Sequence, residues 1–327
     1  MIGLRGPETL RNNPRIWILL LAFLAVQAAG CITIKRRTEV KKEEIRPQLE
    51  SSEENLLAMY NRQVQAVSTL QATVDLIPTT GTTYSGAIEE YHDVTGFILA
   101  QRPVTVRVIG QAPVVAKDIF DMVSDGKEFR IYIPSKNSFL VGSTALNRPS
   151  KKPLENLRPQ HIVDALFWPE LPPSANVLFE QFDFNVSRYY ILTLLRQVKG
   201  GKFEIARKIW YSRMDLHVSR VQLFGGGGIL DSDITYMDWE PVPAPAGAPA
   251  TEQASFARDI HIWRPQDDYK LDIKILKLTL NEPISPDRFE LAQPAGTDLV
   301  HIGDESSARQ PATQPGSQQA SQQDSER

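Results

Sequence analysis

The segment Tyr269-Lys270-Leu271-Asp272-Ile273-Lys274-Ile275-Leu276-Lys277-Leu278-Thr279-Leu280 carries the strongest architectural signal in the chain. As far as Ile275, apolar residues alternate with charged ones, which is typical of a β-strand with one buried face. From Leu276 onward the alternation continues one residue out of phase. Such a slip indicates a β-bulge, which bends a sheet strongly. The alternative is a strand that is buried on both faces. Either interpretation predicts a central strand.

The same period of two recurs through most of the chain. Short turn signals, such as Ser124 to Lys127 and Gly225 to Gly228, separate the alternating runs. Many short strands joined by turns predict an antiparallel sheet of up to roughly ten strands. The other alternating runs lie at 70–76, 104–108, 129–133, 189–195, 203–211, 215–224, 230–239 and 257–263.

Two helices are predicted to accompany this sheet. The first spans 53–70, because Ser51 and Glu54 fit a capping box and apolar residues then recur at helical spacing. The second lies near 157–168 and is stopped by Pro169. Together the elements predict one α+β domain at 51–295, in which a strongly curved antiparallel sheet wraps helices on its concave apolar face.

The first thirty residues have the three zones of a secretory signal peptide. Arg5, Arg11 and Arg15 make a basic start, residues 16–26 are apolar, and small residues follow at 28–30. The apolar run is too short for a spanning helix, which needs roughly twenty residues. We therefore expect residues 1–30 to be a signal peptide that is removed on export.

Ala28-Ala29-Gly30-Cys31 resembles the lipobox of bacterial lipoproteins, although Ala28 stands where that family most often has Leu. Cys31 is the only cysteine in the chain, and a thiol is the nucleophile that takes up the diacylglycerol. The alternative is a plain signal peptide followed by a chance cysteine. The resemblance predicts lipidation at Cys31. It also predicts an outer-membrane location facing the periplasm, because Ile32 is not the Asp that retains lipoproteins at the inner membrane of enteric bacteria.

Segments of low complexity flank and interrupt the domain. Residues 31–50 mix basic and acidic side chains and form a tether, whose basic half either attracts anionic headgroups or is simply a solvated spacer. The Pro- and Ala-rich residues 240–255 predict an extended surface loop. Residues 296–327 have few apolar side chains, so we expect a disordered tail.

The sequence lacks the motifs that mark common enzymes and metal sites. Its five histidines have no second ligand at a metal-binding spacing, and Gly225 to Gly228 joins two strands rather than opening a helix at a phosphate. We expect no catalytic residue, metal or cofactor, and no enzyme activity, a hydrolase with an unrecognised site being the alternative. The net charge of −3 includes three Arg and one Glu in residues 1–30, so the mature chain lies near −5, unlike a nucleic-acid binder.

The order of these features resembles the LolA/LolB superfamily of lipoprotein carriers and receptors. The matching phrases are Ser124-Asp125-Gly126-Lys127 with the strand that follows to Pro134, and the segment from Asn281 to Leu291. The Pro/Ala insertion and the C-terminal tail are not part of that pattern. The resemblance implies an unclosed β-barrel with helices as a lid over an apolar cavity. It further implies that the cavity holds acyl chains of lipoprotein cargo, received from a soluble periplasmic carrier.

If the chain has such a cavity, two sets of apolar residues at every second position of a predicted strand are the candidates for its lining. Sheltering one long acyl chain is worth roughly 10 kcal/mol before ordering costs, at about 0.8 kcal/mol per CH₂. The residues alone allow an ordinary filled core equally well, and a structural or regulatory envelope lipoprotein that binds a protein partner is the alternative function. The candidates are Val104, Val106 and Val108, and Phe129, Ile131 and Ile133.

The hairpin tip Gly225 to Gly228 is a candidate for membrane contact. Four glycines lose much conformational freedom when they are fixed, so we expect the tip to stay mobile. It is either an inert turn whose flanking residues point into the sheet, or an apolar tip that touches membrane or cargo, like the protruding apolar loop of LolB. The flanking residues are Leu223, Phe224, Ile229 and Leu230.

Overall fold

One sheet accounts for most of the regular structure. The computed structural model describes residues 48–80, 89–90, 94–112, 117–145, 158–184, 187–242 and 255–302, all within the unit Pro47–Arg327. The described α-helices are α1 (Glu53–Gln65) and α2 (Pro159–Leu166), and short 3-10 helices lie at Pro134–Lys136, Gly226–Gly228 and Pro286–Phe289. The strands are β1 (Thr69–Thr80), β2 (Glu89–Glu90), β3 (Val94–Gln101), β4 (Thr105–Gln111), β5 (Asp118–Ser124), β6 (Glu128–Ile133), β7 (Ser138–Ser143), β8 (Asn176–Phe184), β9 (Ser187–Gln197), β10 (Phe203–Ser212), β11 (Val218–Phe224), β12 (Leu230–Pro241), β13 (Ser255–Arg264), β14 (Tyr269–Leu280) and β15 (Asp298–Ile302).

The strand order places β1 and β14 side by side at the middle of the sheet. From one edge to the other it is β15-β7-β6-β5-β4-β3-β1-β14-β13-β12-β11-β10-β9-β8, with β2 paired to β1. The pairs along this order are antiparallel except β15 with β7, which is parallel. The curved sheet is unclosed, because β15 and β8 end the order and do not pair with each other in the described residues. The central position predicted for 269–280 is confirmed.

The sheet is larger than the sequence analysis predicted. The described residues contain fifteen strands. Strand β5 (118–124) is one that the sequence analysis did not predict. Its sequence lacks strict alternation, because Met122 and Val123 are both buried, on opposite faces of the strand. The sheet also continues past residue 295, since Asp298–Ile302 pairs with β7. Its five residues are too few to stand out beside the polar sequence that follows. Residues 303–327 lie outside the described part of the chain.

Rows of apolar side chains cross the sheet on one face. Residues directly opposite each other in neighbouring strands carry their side chains on the same face, so these rows form a continuous apolar surface. Most of their members are buried. The row on the β14 side is Phe179–Leu192–Ile209–Val221–Ile234–Ile262–Leu271. The row on the β1 side is Leu278–Ala72–Ile98–Val108–Met122–Ile131–Leu140.

A β-bulge at Leu276 explains the slip of phase in β14. Thr73 lies opposite Lys277 and Val74 lies opposite Ile275, so Leu276 has no partner in β1. Leu276 is 50% exposed while Ile275 is 5% exposed. Skipping one residue returns Leu278 to the face that Ile275 occupies. The bulge prediction is confirmed, and the alternative of a strand buried on both faces is wrong.

Helix α1 packs against the apolar face of the sheet. Its buried side chains are Leu56, Tyr60 and Val64, which lie one turn apart. Asn55 N donates to the Ser52 side chain (3.3 Å), so the cap is one residue later than predicted. The helix ends at Gln65 rather than 70, because Thr69 and Leu70 already pair in β1. Hydrogen bonds tie it to the sheet: Tyr211 hydroxyl to Leu56 O (3.1 Å), Arg207 to the Tyr60 hydroxyl (2.9 Å) and Gln63 to Ser255 O (2.7 Å).

Helix α2 is almost entirely buried. Its His161 Nδ1 is hydrogen-bonded to the Tyr269 hydroxyl, and burial, with Arg264 and Arg158 nearby, lowers the pKa of His161. The imidazole is therefore neutral in the fold. No helix in the described residues is long and apolar enough to cross a membrane.

Asn281 joins the end of β14 to the end of α1. Its side chain accepts from Ser68 N (2.8 Å) and donates to Ala66 O (2.7 Å). Its φ of 62° lies in the left-handed region, which asparagine tolerates better than most residues. The first residue of the Asn281 to Leu291 phrase therefore has a structural role, which is to hold α1 against the sheet.

The bulge predicts opposite outcomes for two adjacent substitutions. Ile275→Ala removes buried methyl and methylene groups and should lower the free energy of unfolding by about 2–4 kcal/mol. Leu276→Ala is the matched control and should change it by less than about 0.5 kcal/mol, because its side chain faces water. Urea denaturation of both variants measures the difference. Equal losses would mean that β14 is buried on both faces.

Candidate functional site

Trp168 lies at the centre of an aromatic cluster between α1 and β12. It follows α2 directly, and Pro169 prevents the helix from continuing. Its ring stacks on Tyr60 of α1 (centroids 5.4 Å apart, 13° between planes) and meets Tyr236 of β12 edge-on (5.3 Å, 85°). Trp239 lies 6.3 Å away. The segment after α2 thus fills space between the first helix and the sheet.

The polar atoms in this cluster are paired in a short chain. Trp168 Nε1 donates to the Tyr236 hydroxyl (2.9 Å), which donates to Ala165 O near the end of α2 (2.9 Å). Burial raises the pKa of Tyr236, so the hydroxyl keeps the proton that it donates. Burial also raises the pKa of Tyr60, which accepts from Arg207. These bonds offset the cost of burying polar groups among aromatic rings.

Trp239 forms the far wall of the cluster. Its Nε1 donates to Val218 O (3.1 Å), and its ring stacks face to face with His217 (4.9 Å, 4°). The neighbouring Leu216 has a φ of 59°, a left-handed conformation that costs a leucine roughly 1–2 kcal/mol. The strained residue lies in the turn that joins β10 to β11, beside the cluster.

Trp168 and Trp239 line two clefts. The volume that the centre of a water molecule can occupy is about 20 Å³ in the first cleft and about 60 Å³ in the second. One water needs roughly 10–15 Å³ by this measure, so the clefts hold water but no acyl chain while α1 is in place. The first is lined by Gln63, Val64, Val67, Arg102, Ala165, Leu166, Trp168, Tyr236, Trp239, Phe256 and Ala257. The second is lined by Met59, Tyr60, Gln63, Trp168, Tyr211, Leu216, His217, Val218 and Trp239.

Arg102 is the cation of the first cleft. Its Nε donates to Val67 O (2.7 Å) and its Nη1 to Trp168 O (3.0 Å), while the guanidinium lies 5.0 Å from the Phe167 ring centre. Burial lowers its pKa, but an arginine remains charged under all ordinary conditions. The side chain therefore connects the chain after α1 to the Trp168 segment.

The six predicted cavity residues all belong to the main apolar cluster of the domain. Val106, Val108, Phe129 and Ile131 are buried, and Val104 and Ile133 are partly buried against them. They lie on β4 and β6, or beside them, and none is among the residues that line the two clefts. Their role as cavity lining stays a prediction.

The glycine tip lies at the other end of β11 from the strained turn. Leu223 packs against the main cluster, Phe224 and Leu230 are half-buried, and Ile229 is exposed. Arg196 donates to Phe224 O (3.0 Å) and also to Gly225 O, and Gly227 N donates to Glu204 (3.2 Å). Of the residues that flank the tip, Leu223 thus points toward the core, as the interpretation of an inert turn predicts, and Ile229 does not.

The sequence analysis missed Trp168 and Trp239 as site residues. In the sequence Trp168 is only the end of the helix predicted near 157–168, and Trp239 is only part of the alternating run 230–239. Trp168 directly precedes Pro169, but Trp239 is separated from Pro241 by one residue, a spacing that Trp263 and Pro265 share, so the sequence offered no signal specific to this pair. Cys31, the predicted lipidation site, and the loop residues 243–254 lie outside the described residues. No group of three or more potential metal ligands occurs in the part of the chain that is described.

The comparisons with known proteins are structural. No protein-family model matches the chain, and no curated protein matches it. It is similar to a LolA superfamily protein from Nitrosomonas europaea (10% identity, TM-score 0.42, 73% of this chain and 97% of that one). It is similar to a putative outer membrane lipoprotein-sorting protein domain from Vibrio parahaemolyticus (10%, 0.42, 72% and 96%) and to a DUF1329 family protein from Desulfovibrio piger (14%, 0.44, 72% and 94%). This likeness concerns the fold alone.

The hydrogen-bond chain through Tyr236 predicts a measurable cost. Tyr236→Phe keeps the ring but leaves Trp168 Nε1 and Ala165 O without their partner, which should lower the free energy of unfolding by about 1–3 kcal/mol. Tyr189→Phe, on the opposite face of the sheet, is the control and should change it by less than about 0.5 kcal/mol. Chemical denaturation followed by tryptophan fluorescence measures both. An unchanged Tyr236→Phe would mean that water replaces the hydroxyl.

Proposed function

We propose that this protein is a lipoprotein of the outer membrane that binds acyl chains or lipidated cargo on the concave apolar face of its sheet, beneath the two helices. The observation that carries this proposal is the pair of clefts around Trp168. They leave space between α1 and the sheet that is lined mainly by apolar and aromatic side chains. Ligand sites in proteins are typically of this composition, with a few polar groups at fixed positions.

The clefts are small, so binding requires that α1 moves away from the sheet. The helix buries three side chains, Leu56, Tyr60 and Val64, at about 1.5–3 kcal/mol each. Its release therefore costs roughly 5–9 kcal/mol. A long acyl chain gains roughly 10 kcal/mol by leaving water. The two magnitudes are similar, so an acyl chain can replace the helix without unfolding the sheet.

The predicted cavity residues form the deeper part of the proposed site. Val106, Val108, Phe129 and Ile131 continue the apolar face away from the clefts, and α2 packs next to β4 and β5. A chain that enters beside Trp168 would extend along this surface once the helices separate. Aliphatic walls accept acyl chains of different lengths, which suits a protein that handles lipidated cargo. No step of this function requires a catalytic group.

The anchoring part of the proposal rests on Cys31. This residue is the only cysteine of the chain, and the tether begins with it. A signal-like segment and small residues come directly before it. A lipid-anchored protein with an acyl site could receive cargo from a soluble periplasmic carrier, which is the partner we propose.

Cys31→Ser tests the anchor. The substitution removes the thiol that would carry the lipid, so the protein should move from the membrane fraction to the soluble fraction or stay unprocessed. Membrane fractionation and mass spectrometry of the full chain measure the change, and density-gradient separation of the wild type tests the outer-membrane location. A substituted protein that is processed and still fractionates with membranes would contradict lipidation at Cys31.

Leu216→Asn tests the ligand site. Asparagine adopts the left-handed conformation more readily than leucine, so the fold should keep its stability while the wall of the second cleft becomes polar. We expect the affinity of the Cys31→Ser chain for the fluorescent fatty acid cis-parinaric acid to fall about tenfold, which corresponds to about 1.4 kcal/mol. Titration of fluorescence measures it.

Met214→Asn is the matched control, because this residue lies in the same turn but does not line a cleft. Its affinity for cis-parinaric acid should equal that of the parent chain. Hydrogen exchange should become faster in α1 when the fatty acid binds. Absence of binding, or equal binding by all three proteins, would contradict an acyl site at the clefts.

A protein partner is the second candidate function, and the outer face near β8 favours it. Phe182 and Tyr189 both meet Trp210 edge-on at 5.6 Å, and Phe182 is exposed on the edge strand. An exposed edge can pair with an extended segment of another chain. A purified domain that carries no lipid, as judged by native mass spectrometry, would favour this alternative.

A further inference from the structure

The described chain starts at one particular end of the sheet. Leu49 N donates to Arg213 O (2.7 Å), and Ser51 N donates to the Tyr190 hydroxyl (3.3 Å). The buried Arg213 side chain pairs with Glu50 and lies 4.7 Å from the Tyr190 ring centre. These contacts hold the segment 48–51 against the start of β9 and the turn after β10. We call this segment and the turn 213–217 the tether rim.

The second cleft reaches the same end of the sheet. Leu216, His217 and Val218 belong to the tether rim or follow it directly, and all three line the cleft. The glycine tip 225–228 lies at the opposite end, because β11 runs from Val218 to Phe224 between the two. Seven residues at about 3.3 Å each separate them by roughly 23 Å.

Both ends of the sheet carry exposed apolar side chains. At the tether rim Leu49 is 42% exposed and Met214 is 39% exposed, next to the hydrogen bond between Leu49 and Arg213. At the tip Ile229 is 53% exposed. Exposure alone therefore does not distinguish the two surfaces, and the position of the anchor has to decide.

The length of the tether favours the tether rim. Residues 32–47, sixteen in number, separate Cys31 from the first described residue. A flexible chain of that length spans roughly 20–24 Å on average. Contact of the tether rim with the bilayer leaves this span unused, whereas contact of the tip would take up all of it, because the tip lies roughly 23 Å from the tether rim along β11.

We infer that the tether rim is the surface that meets the lipid bilayer, with Leu49 and Met214 among the headgroups and the second cleft open toward them. This inference rests on the proposed lipidation at Cys31 and on the proposed acyl site. It differs from the alternative in which the glycine tip touches the membrane. It also gives the acyl site a short route, because a chain leaving the cleft at this end enters the bilayer without crossing water.

The test uses the full lipidated chain in vesicles of phosphatidylethanolamine and phosphatidylglycerol. Acylation consumes the sulfur of the only cysteine, so Met214→Cys and Ile229→Cys each introduce a single reactive thiol at an exposed position. Both are labelled with the fluorophore NBD, and brominated phospholipids then report contact with the bilayer. We expect loss of fluorescence and a blue shift at 214, and neither at 229.

Quenching at 229 alone, at both positions or at neither would overturn the inference. An unsubstituted chain that takes up the label would show a free Cys31 and would overturn the anchor as well. Binding of cis-parinaric acid by the unlipidated Cys31→Ser chain is measured separately. A chain that is quenched at 214 but binds no fatty acid would leave the membrane surface standing while the acyl site fails, so the two failures are distinguishable.

Discussion

The pairing of β1 with β14 is the constraint on which the rest of the structure depends. Leu70 lies opposite Leu280 and Leu76 opposite Ile273, although more than half of the chain separates these partners. The entropy of closing a loop grows only slowly with its length, so a long ladder of apolar pairs can offset it. Without this ladder the strands before and after the middle of the chain would form two sheets with free edges. The bulge at Leu276 keeps leucines on the buried face while it increases the local twist.

Helix α1 is positioned by that same pair of strands. Asn281 follows β14, and its side chain bonds to Ser68 N and Ala66 O just before β1 begins. The helix therefore ends near the centre of the sheet, and its other hydrogen bonds go to β10 and β13 on the β14 side. Trp168 then fills part of the remaining space, stacked on Tyr60 and bonded to Tyr236. The two clefts lie around these aromatic rings, and Trp168 and Trp239 line both of them.

The attachment of α1 combines apolar packing with a few hydrogen bonds to the sheet. Arg207 bonds to Tyr60 and Gln63 bonds to Ser255 O, and both polar side chains remain half-buried. Such groups regain partners in water when the helix leaves, so their release costs less than that of a fully buried pair. The sheet, in contrast, is held by continuous ladders. In the proposed function ligand exchange would use this difference, since α1 would leave while the sheet stays folded.

Local sequence by itself determined the strand period, the helix face and the central place of β14, because these follow from the spacing of neighbouring residues. The slip of phase in β14 left a bulge and burial on both faces open, and only the pairing with β1 decided for the bulge. The signal-like start and the lipobox-like Cys31 are equally local. The site was not predictable in this way: Trp168, Tyr60 and Trp239 come from three distant segments and meet only through the tertiary fold. The opposite placement of the glycine tip and the tether rim also depends on strand direction. Periodicity indicates which face of a strand is buried, but only the lateral order of strands decides what covers that face and where space remains.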